Sequence, residues 1–293
     1  MFLPQYLLIN MVTKKQEPKN LKGALKKKLT KKEFEFAPKA FDSFGNIAVI
    51  EIPEELEAKK KLIGETLLDV QSRFETVCSI ESNHEGSFRV QKVKVIAGKK
   101  NLVATYKESA ATLMVPLGKV FFSPRLGSER LRVANEIKQD ELVGCWFSGV
   151  GPYPIVFAKN SKMKKAIAIE LNPAAHKYAV KNVELNKCED KVELIKGDVK
   201  KQYKKFRKKF DRIAMPLPHT GYQFLKEAFY CVKAKGTIHF YEIVEKEDFA
   251  LPEKQIREAA KEQKRKIRIM RKKRVRRFSP SKEQVVFDIK VLN

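Results

Sequence analysis

The sequence has no apolar stretch of the roughly 18 residues that a membrane-spanning helix requires. Its four cysteines show no CxxC spacing and its four histidines are not grouped with them, so a metal site is not expected and the thiols suit a cytoplasmic protein. Acidic residues are few relative to basic ones. The chain has 35 aspartates and glutamates but 61 lysines and arginines, which gives a formal net charge of +26. We therefore expect a polyanionic partner, although a uniformly lysine-rich surface would give the same total.

Two familiar nucleotide-binding signatures are missing as well. The turn Ser148–Pro152 follows an apolar run but lacks the Gly-Lys-Ser/Thr ending of a P-loop and the full spacing of the dinucleotide fingerprint. It is the first of three apolar runs that end in polar residues, the second ending at Glu170 and the third at Asp198. Because parallel strands of an open α/β sheet end at the same edge, these three ends should converge on one pocket.

The residue types at these ends indicate the ligand. Glycine lets the backbone approach a ligand closely, the carboxylate of Glu170 can accept both hydroxyls of a ribose, and Asp198 can accept an adenine amino group. No second mononucleotide-binding half follows, so the interpretation favours S-adenosylmethionine over a dinucleotide. For the glycine turn alone, an ordinary strand–turn–helix is an equally good interpretation.

The chain is expected to divide into three parts. Residues 1–33, with nine lysines and no arginine, are expected to be a mobile basic tail with one short helix near Leu21–Leu29. Residues 34–118 predict a small α+β domain with a helix over 54–76. Residues 119–293 alternate strands and helices and end in a strand pair, which predicts an α/β class I (Rossmann-like) methyltransferase domain with a seven-stranded sheet. A basic helix is expected over 253–269.

The segments FSPRLGSER (122–130) and FSGVGPYP (147–154) carry a resemblance more specific than a generic methyltransferase pattern. With GDV (197–199) and the closing VRRFSPSKEQVVFDIKV, they make residues 34–293 resemble the archaeal and eukaryotic tRNA guanine-N1 methyltransferases, which modify position 37 next to the anticodon. The resemblance implies S-adenosylmethionine as the methyl donor, tRNA as the acceptor and an RNA-recognition role for the small domain. Nothing resembles a knot-forming dimer interface, so a monomer is expected.

The resemblance also implies roles for residues around the acceptor base. Glu129 matches the family's catalytic glutamate, which would accept the N1 proton of guanine, and Arg89, expected on a strand, matches the arginine that holds charge on O6. Arg125 is expected to orient its loop or to contact phosphate or Glu129, and Phe121 to line the base pocket. Glu129 has a structural alternative, because an acid in the first turn of a helix complements the helix dipole.

The expected cofactor contacts come from the three strand ends. They are Phe147, Gly149, Gly151, Glu170, Asn172, Asp198 and Val199. Phe147 and the two glycines would wrap the methionine part, Glu170 the ribose, and Asp198 with Val199 the adenine. Asn172 is also a good N-cap for the helix that follows it.

The chain departs from the family pattern in two places. Its N-terminal extension is too short for the domain with which many members contact the outer corner of tRNA. The loop Met215–Pro218 has Pro216 where the family has an asparagine, which leaves Pro218 and the Leu217 carbonyl near the base. Because some members methylate a tricyclic, wyosine-type guanine derivative at position 37, that reaction is an alternative to N1 methylation. A degenerate fold that only binds RNA is a second alternative.

One segment is far more basic than the rest. Residues 254–277 contain 13 lysines and arginines, which would suit the phosphates of the anticodon stem. A solvated charged face is the plainer interpretation of the same residues.

Overall fold

The computed structural model describes residues 20–83 and 85–293. The α-helices of this part are α1 (Leu21–Leu25), α2 (Lys31–Glu35), α3 (Lys60–Val70), α4 (Gly127–Glu136), α5 (Pro152–Asn160), α6 (Pro173–Leu185), α7 (Val199–Gln202), α8 (Leu225–Cys231) and α9 (Ala250–Glu262). The strands are β1 (Asp42–Phe44), β2 (Ile47–Ile50), β3 (Thr76–Ile80), β4 (Val93–Gly98), β5 (Val103–Glu108), β6 (Ala111–Pro116), β7 (Leu142–Trp146), β8 (Lys165–Glu170), β9 (Val192–Lys196), β10 (Phe210–Met215), β11 (Val232–Glu245), β12 (Ile267–Arg277) and β13 (Lys282–Val291). Short 3-10 helices occupy Glu54–Lys59, Pro124–Leu126, Tyr203–Phe206 and Gly221–Phe224.

The larger sheet has the strand order β12-β13-β11-β10-β7-β8-β9. Its five strands from β11 to β9 run parallel, and β13 pairs antiparallel with both β11 and β12. Strands buried on both faces are apolar along their length, as β8 is, and helices α4 to α6 cover one face while α7 to α9 cover the other. The predicted α/β fold with a seven-stranded methyltransferase sheet is confirmed.

The smaller sheet has the order β1-β2-β3-β4 and packs against α1 and α3. The helix expected over residues 54–76 is wrong at its C-terminal end, because α3 stops at Val70 and Thr76–Ile80 forms the buried strand β3. This stretch lies between β2 and β4, and its β-branched residues suit a strand with neighbours on both sides.

The basic tail was expected to reach residue 33 with one short helix near Leu21–Leu29. The helix is present as α1 (Leu21–Leu25), but the described part of this segment belongs to the small domain and not to a tail. Asn20 caps α1 and Thr30 caps α2 in a box with Glu33, while Leu21 and Leu25 are buried in the core of the small domain. The segment is rich in lysine, so its average composition did not indicate that its two leucines pack into a core. Residues 1–19 of the predicted tail lie outside the described residues.

The hairpin of β5 and β6 packs on the methyltransferase domain through two buried asparagines of α6 and its C-terminal cap. Asn182 accepts a hydrogen bond from the Met114 N–H (2.7 Å) and donates to its carbonyl (3.1 Å), and Asn186 does the same at Thr112 (2.9 and 2.7 Å). The two amides therefore act as a short partner strand for the edge of β6. We propose on this ground that the domain boundary lies near residue 102 rather than 118.

The helix expected over residues 253–269 is too long. Helix α9 ends at Glu262, Lys264 turns the chain with a φ of 52°, and residues 267–277 form the edge strand β12. Most of the basic residues therefore lie on a strand, where alternate side chains point to opposite faces. Among the described helices, none is both long and apolar enough to cross a membrane.

Candidate active site

A cavity of about 730 Å³ lies at the carboxyl ends of β7, β8, β9 and β10 and is lined on its other side by the small domain. Several predicted site residues line it, namely Arg89, Arg125, Phe147, Gly149, Glu170, Asn172, Asp198, Val199 and Pro218. Phe121, expected in the base pocket, lines it as well. Glu129 and Gly151 are not among its lining residues. The strand ends thus converge as the parallel sheet predicted.

The turn after β7 is built from left-handed backbone. Phe147, Gly149 and Gly151 have φ values of 56°, 57° and 87°. A Cβ at Gly149 would meet only ordinary contact, 3.8 Å from the Phe121 carbonyl oxygen, so its glycine is required by conformation rather than by crowding. The positive φ of Phe147 costs conformational energy, because Phe147 is not a glycine. Its ring packs edge to face against Phe224, with 4.8 Å between the ring centres. Backbone strain of this kind is common at ligand sites.

Glu170 connects this turn to the end of β8. Its Oε2 accepts a hydrogen bond from the Gly149 N–H and its Oε1 one from the Asn172 N–H, both at 2.6 Å. Burial raises the pKa of Glu170, although these two backbone donors oppose the rise. Each carboxylate oxygen has a second lone pair, so the side chain can still accept the two hydroxyls of a ribose.

The other expected cofactor residues have clear structural roles. Asn172 caps α6 by accepting from the Ala174 N–H at 2.9 Å, and Asp198 caps α7 by accepting from the Lys200 N–H at 2.8 Å. Val199 is buried beside Asp198 and offers an apolar wall for a purine ring. Gly151 is the N-cap of α5 and does not line the cavity, so its role is to shape the backbone of the turn. These residues fit S-adenosylmethionine. Glu170 suits its ribose, Asp198 suits its adenine amino group, and the open glycine turn leaves room for the rest.

Glu129 lies in a buried ion-pair network instead of on the cavity wall. Arg132 donates to its two oxygens at 2.8 and 2.6 Å, and the Tyr241 hydroxyl donates to Oε1 at 2.8 Å. Arg132 also bonds Asp288 at 2.9 and 3.2 Å. Both carboxylate oxygens of Glu129, the predicted base, therefore bond to groups of this chain.

The network continues across the sheet. The Asp288 carboxylate accepts a hydrogen bond from His239 Nδ1 at 2.6 Å, and Arg212 lies 2.6 Å from Nε2 of the same ring. Burial would raise the pKa of Asp288, but its bonds to His239 and Arg132 lower it to about 2. Ligand atoms of Glu136, His239 and Asp288 lie within 4.8 Å of one another, the kind of cluster that can hold a metal ion. Arg132 and Arg212 already occupy these groups, so we interpret the cluster as structural.

The two predicted arginines come from different domains. Arg89 was expected on a strand, but it lies on a turn before β4 with a φ of 51°, and burial lowers its pKa. Arg125 was given Glu129 as one possible partner, and that option is wrong, because Arg125 bonds Asp42 of the small domain at 2.5 and 3.2 Å. This ion pair is largely exposed and joins the two domains at the cavity.

Several cavity residues were missed in the sequence. His219, Arg276 and Phe278 line the cavity, and so does Phe88, which precedes Arg89 in the chain. The sequence did carry a signal for His219 as a cavity residue. It is a polar residue just after the end of β10, in the loop that departs from the family pattern. Arg276 and Phe278 carried no comparable signal, since their position depends on the pairing of β12 with β13.

Comparison with known proteins agrees with this architecture. Residues 104–270 match the TRM5/TYW2 methyltransferase domain and residues 21–101 match the TYW2 N-terminal domain. The second match begins at α1, inside the segment that the sequence had suggested to be a tail.

Individual relatives carry two different names. The chain is 35% identical over 257 residues to a tRNA (guanine(37)-N(1))-methyltransferase Trm5b of Pyrococcus abyssi, covering 87% of this chain and 76% of the relative. It is 34% identical over 210 residues to a tRNA 4-demethylwyosine(37)-methyltransferase Taw21 of Saccharolobus solfataricus, covering 71% and 79%.

A solved structure shares the fold and almost its whole length. The Pyrococcus horikoshii TYW2 in complex with MeSAdo superposes with a TM-score of 0.79 at 26% identity, covering 93% of this chain and 98% of that one. S-adenosylmethionine is accordingly the expected cofactor, and the residues of the cavity suit it. The resemblance found in the sequence is confirmed, and the chain belongs to the TRM5/TYW2 methyltransferase family.

Proposed function

We propose that this protein is an S-adenosylmethionine-dependent tRNA methyltransferase that acts on position 37, with N1 of guanine as the acceptor atom. The observation that carries the proposal is the continuity of the cavity. A single space contains Glu170 and Asp198, which suit the cofactor, together with Arg89 and Phe88, which the small domain contributes. Methyl donor and acceptor would meet where the two domains face each other.

The cofactor supplies an electrophilic methyl group, and the remaining requirements fall to the protein. Glu170 and Asp198 would hold the ribose and the adenine. Arg89 would hold the negative charge that spreads to O6 when N1 loses its proton, which a guanidinium does well in a partly buried site. Glu129 bonds Arg132 and Tyr241 and does not line the cavity, so the proposal that it accepts the N1 proton requires its side chain to move when RNA binds.

The charge distribution supports RNA as the acceptor. Arg89, Arg125 and Arg276 all line the cavity, and the last belongs to β12, whose outward side chains are mainly lysine and arginine. A basic strand that ends at the cavity can follow a phosphate backbone towards it. The anticodon stem-loop of tRNA is the part of the substrate that such a strand would contact.

A second acceptor is favoured by two observations. Pro216 cannot donate the hydrogen bond of the asparagine that the family has in this loop, and the small domain matches the TYW2 N-terminal domain. Both would suit an acceptor other than plain guanine. The tricyclic 4-demethylwyosine, which the S. solfataricus relative is named for, is therefore the alternative substrate at the same position.

The proposal can be tested by transferring a labelled methyl group to matched tRNAs that differ only at position 37. One would carry guanine, one 4-demethylwyosine and one adenine as the control, and mass mapping would identify the modified nucleoside. Formation of N1-methylguanosine is the expected result. Transfer to the tricyclic base alone would establish the alternative, and tight RNA binding with no transfer to any base would overturn both in favour of a protein that only binds RNA.

A further inference from the structure

His219 is a half-buried histidine on the cavity wall, in the loop that follows β10. Its ring meets Phe278 edge to face, with 5.6 Å between the ring centres. Within the described residues, neither ring nitrogen has a hydrogen-bond partner. A polar side chain that lines a ligand cavity with both nitrogens unused is available to the ligand.

The surroundings of His219 keep its imidazole neutral. Burial, followed by the positive charges of Arg89, Lys282 and Arg276, lowers its pKa to about 4. A neutral imidazole has one N–H donor and one acceptor nitrogen. This is the type of group that can recognise a purine edge, which also presents donors and acceptors side by side.

The same charges argue against proton transfer. Imidazolium would be formed among three cations, so His219 is a poor proton acceptor, and at neutral pH it has no spare proton to give as an acid. Hydrogen bonding without a change of charge is what remains. The neighbouring Pro216 lacks a side-chain donor, and His219 is the next polar side chain in the loop.

On the basis of the proposed function, we infer that His219 determines specificity by donating a hydrogen bond to O6 of the purine to be methylated. Arg89 and His219 would then use the two lone pairs of O6, Arg89 to neutralise charge and His219 to recognise the oxygen. Phe278, which is 39% exposed, lines the same cavity and packs edge to face against the imidazole. The acceptor would thus be selected from the β10 loop as well as from the small domain.

A binding experiment tests this assignment by comparing the preference for one base over another at position 37 between the wild type and variants of His219. The affinity of an anticodon stem-loop would be measured in the presence of saturating S-adenosylhomocysteine, with guanine or 2-aminopurine at position 37, because 2-aminopurine lacks both O6 and the N1 proton. Wild type, His219→Phe, His219→Asn and His219→Gln would be compared. His176→Phe is the matched control, since His176 is a second histidine that does not line the cavity.

We expect the wild type to prefer guanine by about tenfold through this contact, and His219→Phe to lose that preference. His219→Asn or His219→Gln should restore part of it, and His176→Phe should leave it unchanged. Unaltered cofactor affinity in each variant shows that the fold is intact. If His219→Phe keeps the wild-type preference for guanine, the assignment is overturned although the proposed function stands; if the wild-type protein transfers no methyl group to any tRNA, the proposed function itself fails.

Discussion

The Tyr241 hydroxyl donates a 2.8 Å hydrogen bond to Glu129, a residue 112 positions earlier in the chain. This contact joins α4 to the centre of the large sheet and makes Glu129 part of a buried network with Arg132 and Asp288. A carboxylate held in this way stabilises the fold. The same carboxylate matches the family's catalytic base, so the two roles need an experiment that separates them.

Glu129→Gln should lower the free energy of unfolding by about 2 to 3 kcal/mol, because it removes a buried charge that pairs with the half-buried Arg132. Tyr241→Phe should act in the same direction by about 1 kcal/mol. Urea titration measures both, and Glu258→Gln, at an exposed acid of α9, is the control. Loss of methyl transfer by Glu129→Gln with unchanged stability would contradict the structural role and leave catalysis as its only function.

Glu242 should make the protein less stable as the pH rises. It is 8% exposed, its Oε2 has no partner among the described residues, and burial raises its pKa from 4.5 to about 7. Between these two values the unfolded chain loses the proton while the folded chain keeps it, so folding stability falls from pH 4.5 to pH 7 and stays low above it.

Glu242→Gln keeps the oxygen that accepts from the Ile243 N–H and removes the titration. It should raise the free energy of unfolding by up to about 3 kcal/mol at pH 8 and change it little at pH 4.5. Melting temperatures of both proteins at the two pH values provide the measurement. An equal difference at both pH values would show that Glu242 is not the titrating group.

Glu170 should be essential for cofactor binding. Glu170→Gln replaces one oxygen that accepts a backbone N–H with an amide donor, so it disturbs the glycine turn as well as the ribose contact. The dissociation constant for S-adenosylmethionine, measured by calorimetry, should rise by about tenfold or more. Glu193→Gln on the adjacent strand β9 is the matched control, because Glu193 does not line the cavity. Equal affinities for wild type and Glu170→Gln would remove Glu170 from the cofactor site.

Strand β12 should account for part of the salt dependence of tRNA binding. Arg268 and Lys273 are exposed and belong to no ion pair among the described residues. If each contacts a phosphate, replacing both by alanine should reduce the slope of log K against log salt concentration by about 1.5. The control replaces Lys208 and Lys235, which are exposed near the amino ends of β10 and β11. A slope that falls equally in both variants would indicate a general charge effect.

The sequence was sufficient for those parts of the structure that depend on local pattern. Apolar runs ending in Glu170 and Asp198 predicted parallel strands and a common pocket, since strand direction alone brings their ends together. Asn172 was predicted as an N-cap and is one. These features require no knowledge of which distant segments pair.

Features that depend on distant contacts could not be predicted. The environment of Glu129 is set by Tyr241 and Asp288, and neither has a sequence signal that links it to α4. The strand β3 was not predicted, because its five residues follow the expected helix directly and its pairing with β2 and β4 depends on distant segments. Lys264, with its positive φ, ended the basic helix earlier than its composition indicated.

Asn182 and Asn186 bind the backbone of the β5–β6 hairpin and not its side chains. The exposed positions of the hairpin can therefore vary without loosening its attachment. Each of the two asparagines, in contrast, must be a residue that offers a donor and an acceptor together. The exposed surface of the hairpin could thus change in evolution while its position on the methyltransferase domain stays constant. The attachment separates the surface that the hairpin presents from the way it is held on α6.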